Sequence, residues 1–192
     1  MFHLKSKALT FSLLLLFSVG LISGQVAPLS GELGLQYDRA LELYQKGQYG
    51  NAQRLFDEVV ENDFVNDRET RASAAYYAAL SAMKLYNADA DMRVNNFANT
   101  YQLNTLANRL YFEYANYRFN LKNYRQAAEY YEKVDRYRLA PSKLDEYYFK
   151  KAYALLSSDR PAEAKPLFFE LKDKDSQYAH SARYYYAHLL YA

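Results

Sequence analysis

Few residues in this chain could carry a reaction. Histidine occurs three times, as His3, His180 and His188, and cysteine does not occur. Without cysteine, disulfide scaffolds, thiolate metal sites and cysteine nucleophiles are excluded together. His180 and His188 stand eight residues apart, roughly two helical turns, and no Asp or Glu one turn away orients either ring. Two histidines alone do not make a zinc site. The carboxylate pairs Asp57/Glu58, Asp89/Asp91 and Asp145/Glu146 lie among Lys and Arg, where they read as caps and solvated charges. All six glycines fall at or before Gly50, so no later loop can cradle a phosphate. The sequence therefore predicts no catalytic residue, no metal ligand and no cofactor.

What is abundant is aromatic surface: 22 Tyr and 11 Phe, with no Trp, in 192 residues of which 51% are hydrophobic and 24% charged. That length supports one compact domain or a short repeat array with a sizeable core.

Residues 1–24 have the three parts of a secretory signal. Lys5 and Lys7 form a basic start, Ala8 to Ile22 an apolar run, and Ile22-Ser23-Gly24 a small-residue cleavage region before Gln25. The run is fifteen residues, interrupted by Thr10, Ser12 and Ser18. It is short against the ~20 needed to span a bilayer. The predicted cut after Gly24 leaves no integral membrane span, and the absence of a following Cys excludes a lipoprotein. Removing Lys5 and Lys7 takes the charge count from 24 Lys+Arg against 22 Asp+Glu to 22 against 22. A neutral chain with interspersed signs offers no footprint for nucleic acid and no polybasic run for a membrane surface. The expected location is the periplasm or the cell exterior.

Residues 25–33, with Pro28 and Gly31, read as a linker. Beyond them the recurring signal is the 3.6-residue period: Tyr37, Leu41 and Tyr44 share one helix face, as do Tyr111, Tyr114, Ala115 and Phe119. The expected fold is all-α. The chain is also self-similar. Turns at Gly47-Gln48, Lys122-Asn123 and Asp159-Arg160 each lead to an alanine, Ala52, Ala127 and Ala164, with Phe56, Tyr131 and Phe168 four residues on. The first gap, 75, is twice the second, 37, and places a hidden copy at Ala90 with Val94. Helix starts are expected at Asp159 before Arg160-Pro161 and at Ser142 after Pro141 with Asp145 three residues on.

This pattern resembles the tetratricopeptide repeat, a helix–turn–helix unit. The small residue of the first helix is Ala40, Ala115 and Ala152; that of the second is Ala52, Ala127 and Ala164; the next inward position is Val59, Val134 and Leu171. The copies run three or four residues longer than the family's usual period, and the closing proline occurs only as a displaced Pro141. The resemblance implies a right-handed superhelical solenoid of antiparallel helix pairs over 34–192, with repeats at about 34–66, 70–104, 108–141 and 145–176. A partial fifth copy, 177–192, would present an apolar, aromatic helix to further repeats or to a partner, and the chain reads as the opening segment of a longer array.

The resemblance also implies a concave face built from the first helices. It would carry Tyr37, Leu41 and Met83, then Arg109, Phe112 and Asn116, then Glu146, Phe149 and Tyr153, with Tyr44 and Phe119 packing beneath. Such a face suits a peptide or protein partner in the cell envelope. Truncating Phe112 and Phe149 together is then expected to weaken capture while leaving the helices intact. The lysine clamp of co-chaperone members is absent, because Tyr37, Phe112 and Phe149 stand where its cations would be; only Asn116 matches. The expected function is a non-catalytic interaction scaffold. The competing reading is capture of a glycan or cell-wall polymer by the aromatic surface.

Overall fold

The structure, a computed structural model, describes residues 31–62 and 67–191. The predicted leader and most of the predicted linker lie outside these residues. Among the described residues the chain is helical, with no strand. The helices are α1 (Gly31–Gln45), α2 (Tyr49–Glu61), α3 (Arg68–Leu85), α4 (Ala90–Thr100) and α5 (Leu106–Asn120). They continue as α6 (Tyr124–Glu132), a 3-10 turn (Arg136–Arg138), α7 (Pro141–Leu156), α8 (Pro161–Leu171) and α9 (Ala179–Tyr191).

Local chemistry sets most of these bounds. Asp67 accepts from the backbone N–H of Glu69 and Thr70 and so starts α3 at Arg68. Asn123 caps α6 through Gln126 N–H. Pro141 and Pro161 open α7 and α8, where a missing N–H costs nothing. Three expectations shift. α1 begins at Gly31, inside the expected linker. The cap of α7 is Ala140 rather than Ser142. Asp159 is no helix start either: its φ is 60° and it closes the turn behind α7, leaving Arg160 at the head of α8.

That turn recurs. Gly47, Tyr86, Lys122 and Asp159 all have φ between 56° and 74°, and they are separated by 39, 36 and 37 residues. Behind each, the next N–H bonds five residues back: Gln48 to Leu43, Asn87 to Ala82, Asn123 to Arg118 and Arg160 to Leu155, at 2.9–3.0 Å. This is the left-handed cap that satisfies the orphan carbonyls of a helix end. Four times, therefore, an odd-numbered helix ends in the same geometry and the next helix folds back on it.

Small residues set how closely these pairs approach. Ala40, Ala52, Ala90, Ala115, Ala127, Ala152 and Ala164 are all at most 1% exposed, as are Phe56, Val94, Tyr131 and Phe168 one turn on. Each helix packs on its neighbours in sequence, and α3 also touches α1 and α5, while α5 touches α7. A smaller core joins α1 and α2 to Ala74 and Ala78 of α3; a larger one runs from α3 to α9. α3 sits between them, and its buried residues occur all around the helix. At the far end, Tyr184, Leu190 and Tyr191 of α9 are exposed.

Candidate functional site

The face shared by α1, α3, α5 and α7 is built from phenol rings below and polar side chains above. Burial pushes the Tyr44 hydroxyl of α1 up to about 12, and Tyr49 and the Glu113 carboxylate of α5 add to that shift. Tyr76 beneath them is 2% exposed, and the Arg109 guanidinium lies 5.5 Å above its ring. Burial raises the Tyr76 hydroxyl as well, while the nearby Arg109 opposes the shift.

Between α3 and α5 this face opens into a cavity of about 130 Å³. Leu80 and Met83 form its floor, Tyr86 and Tyr117 stand beside it, and Lys84, Glu113, Asn116 and Asn120 supply its polar groups. Glu113, Asn116 and Asn120 follow one another at i, i+3 and i+7, which puts all three on one stripe of α5. Tyr86, in the left-handed turn after α3, holds its ring 65% exposed and 5.8 Å from that of Tyr117.

A polar chain links the cavity to α7. The Asn116 carboxamide oxygen accepts from the Tyr131 hydroxyl at 2.6 Å and from Lys150 Nζ at 3.1 Å. Lys150 also donates to Glu146 at 2.7 Å, and Lys143 reaches the same carboxylate at 3.3 Å. Burial alone would raise the Glu146 carboxyl, but the two lysines outweigh it and hold it below its usual value. The Asn116 oxygen is thus committed, whereas its amide hydrogens take no part in these bonds.

The structure places the sequence-predicted site residues unevenly. Asn116 and Glu146 meet through Lys150, Arg109 lies exposed on the same face, and Met83 contributes only floor, at 6% exposure. Phe112 is 3% exposed and packs against Tyr131, so it has no ring to present, and its truncation would remove core rather than contact surface. Tyr37 is tied to Ser73 at 2.6 Å and abuts Phe56, and Leu41 packs into the α1–α2 core. Phe149 stacks on Tyr178 at 5.1 Å, and Tyr153 lies edge-on to Phe119, Tyr124 and Tyr185. These half-buried rings join α7 to α5, α6 and α9. Of the predicted aromatic positions Phe112 is core and the others are half-buried, and the cleft and its polar chain add groups the sequence does not single out: Lys84, Glu113, Asn120 and Lys150. Asn120 follows Asn116, and Lys150 follows Glu146, by four residues, a spacing that signals a shared face. Nothing local singles out Lys84.

His180 and His188 are exposed on α9. Among the described residues no helix is long and apolar enough to cross a membrane. No family model, curated protein or solved structure matches this chain.

Proposed function

We propose that the protein is a non-catalytic interaction scaffold of the bacterial envelope, a tetratricopeptide-type solenoid that binds a segment of a partner protein along the face of α1, α3, α5 and α7. One observation carries this reading: four left-handed turns share one hydrogen-bond pattern, and the odd-numbered helices α1, α3, α5 and α7 touch in succession. Between α3 and α5 an apolar-floored cleft is fringed by Lys84, Glu113, Asn116 and Asn120. An apolar floor with a few fixed polar groups suits ligand capture and offers no nucleophile–base pair. The signal-like residues 1–24 support export. The exposed Tyr184, Leu190 and Tyr191 of α9 form an apolar surface on which a partner would pack.

A photo-crosslinking residue at Asn120, in the cleft, compared with one at the exposed Met92 of α4, tests the reading in envelope extracts of the source organism. The expected result is discrete protein adducts from Asn120 and none of the same size from Met92. Equal adducts from both, or none from either, would overturn it. Retention of soluble glycans with loss on Tyr86→Ala would instead assign the cleft to carbohydrate, since Tyr86 and Tyr117 offer ring faces beside the two asparagines.

A further inference from the structure

Away from the cleft, the loop from α6 to α7 carries cations that the fold leaves uncompensated. Lys133, Arg136 and Arg138 stand against Asp135 alone, a net of +2 (three minus one) over six residues, and all four are exposed. Three neighbouring acids are engaged elsewhere, and the fourth, Glu129, one turn before Lys133, closes no ion pair with it. Asp135 turns its carboxylate onto the Tyr137 N–H at 3.0 Å, Glu132 pairs with Arg160 at 2.5 Å, and Asp145 pairs with Lys174 at 3.2 Å. None of the three cations closes an ion pair among the described residues, whereas Arg39, Arg54, Arg93, Arg118 and Arg160 each hold a carboxylate.

Rings position two of them instead. Lys133 Nζ lies 4.0 Å over Tyr130, and the Arg136 guanidinium lies 4.9 Å over Tyr137. Arg136 also donates to the Tyr148 hydroxyl at 2.9 Å and the Tyr137 hydroxyl at 2.8 Å. Two of its five N–H donors are thereby used, and three remain for a ligand. Tyr137 itself is 82% exposed.

The backbone beneath is fixed from inside. Asn108 of α5, 6% exposed, donates to the Asp135 carbonyl at 3.1 Å and accepts from the Asp135 N–H at 2.7 Å. From there Arg138 N–H returns to Asp135 and Leu139 N–H to Arg136, closing the 3-10 turn. A buried carboxamide thus holds an exposed loop in one shape, which lowers the ordering cost of binding.

We propose that this loop is a docking surface for an acidic polypeptide segment whose Asp or Glu side chains meet Lys133, Arg136 and Arg138 around the Tyr137 ring. Guanidinium forks match planar carboxylates. Electrostatic capture by a membrane surface draws on larger clusters, about four to eight basic residues, usually flexible or helical. The site is separate from the α3–α5 cleft and does not depend on what that cleft binds.

The test is fluorescence anisotropy of a labelled oligoglutamate peptide with the full chain at low salt. Arg138→Ala removes a side chain with no hydrogen bond or ion pair among the described residues, so the fold is kept; it should weaken binding several-fold. Arg136→Ala with Arg138→Ala should weaken it about tenfold or more. The charge-matched control, Lys46→Ala with Arg54→Ala on α1 and α2, should change it less than about twofold. Equal losses in the two double variants would mean nonspecific attraction and overturn the proposal. So would absence of peptide binding, or binding to phosphatidylglycerol vesicles but not to the peptide.

Discussion

Tyr131 of α6 donates its hydroxyl hydrogen to the Asn116 side chain of α5 at 2.6 Å, inside a core where Tyr131 is fully buried. The bond ties the second helix of a pair to the polar rim of the first, and Lys150 of α7 completes it from the third. Burial pushes the Tyr131 hydroxyl far above its ordinary value, so it acts here as a fixed donor.

Removing that donor separates its polar contribution from its packing. Tyr131→Phe keeps the ring and leaves the Asn116 oxygen to Lys150, which should cost about 1 kcal/mol in urea unfolding. Tyr131→Ala also opens a cavity among Ala127, Phe112 and Tyr147 and should cost about 3–5 kcal/mol. A Phe variant as damaged as the Ala variant would mean that the hydroxyl, not the ring, holds the α5–α6 pair.

The four left-handed turns make a second, opposite prediction. Lys122 and Asp159 occupy φ values of 59° and 60°, where a Cβ is strained and glycine is not. Lys122→Gly and Asp159→Gly should each stabilise the protein by about 0.5–1 kcal/mol, read as a higher urea midpoint at constant slope. At Gly47, φ is 74° and an added Cβ meets no atom within 4 Å. Gly47→Ala should therefore destabilise by about 1 kcal/mol through the backbone alone. A neutral Gly47→Ala would remove strain as the common feature of these turns.

The same turns mark where sequence reading works and where it stops. Alanines at 52, 90, 127 and 164 were legible because close helix packing forces a small residue at one place in every pair. Of the left-handed residues only Gly47 is of the type that advertises its conformation. Tyr86, Lys122 and Asp159 adopt it because the flanking helices require it, so Asp159 reads as a helix start when it is a helix stop.

The candidate site fails to read for a related reason. One residue along a helix is a rotation of about 100°, and that separates Phe112, in the core, from Glu113, at the cleft. Periodicity finds the stripe of α5 that faces other helices but not which of two flanking stripes is covered. In an aromatic-rich chain the rings look like the ligand surface. Glu113, Asn116 and Asn120 look like an ordinary solvated stripe until α3 is placed beside them.

Tyrosine ionisation gives the last prediction, because so many phenols are buried. Tyr44 is raised to about 12, and Tyr76, Tyr114 and Tyr131 lie higher still, each chiefly by burial. A folded-state value above the unfolded one means that the native chain keeps a proton the unfolded chain gives up. The associated stability is complete below the ordinary value of 10.0 and is lost as pH rises through the folded values. Urea midpoints should therefore fall steadily above pH 10. In a titration of near-ultraviolet absorbance, the buried set should ionise only together with loss of the helical circular dichroism signal. Smooth ionisation of all the tyrosines near pH 10 in a still-helical protein would mean that the stacked rings between α1 and α9 are open to water, and the packed aromatic core described here would not stand.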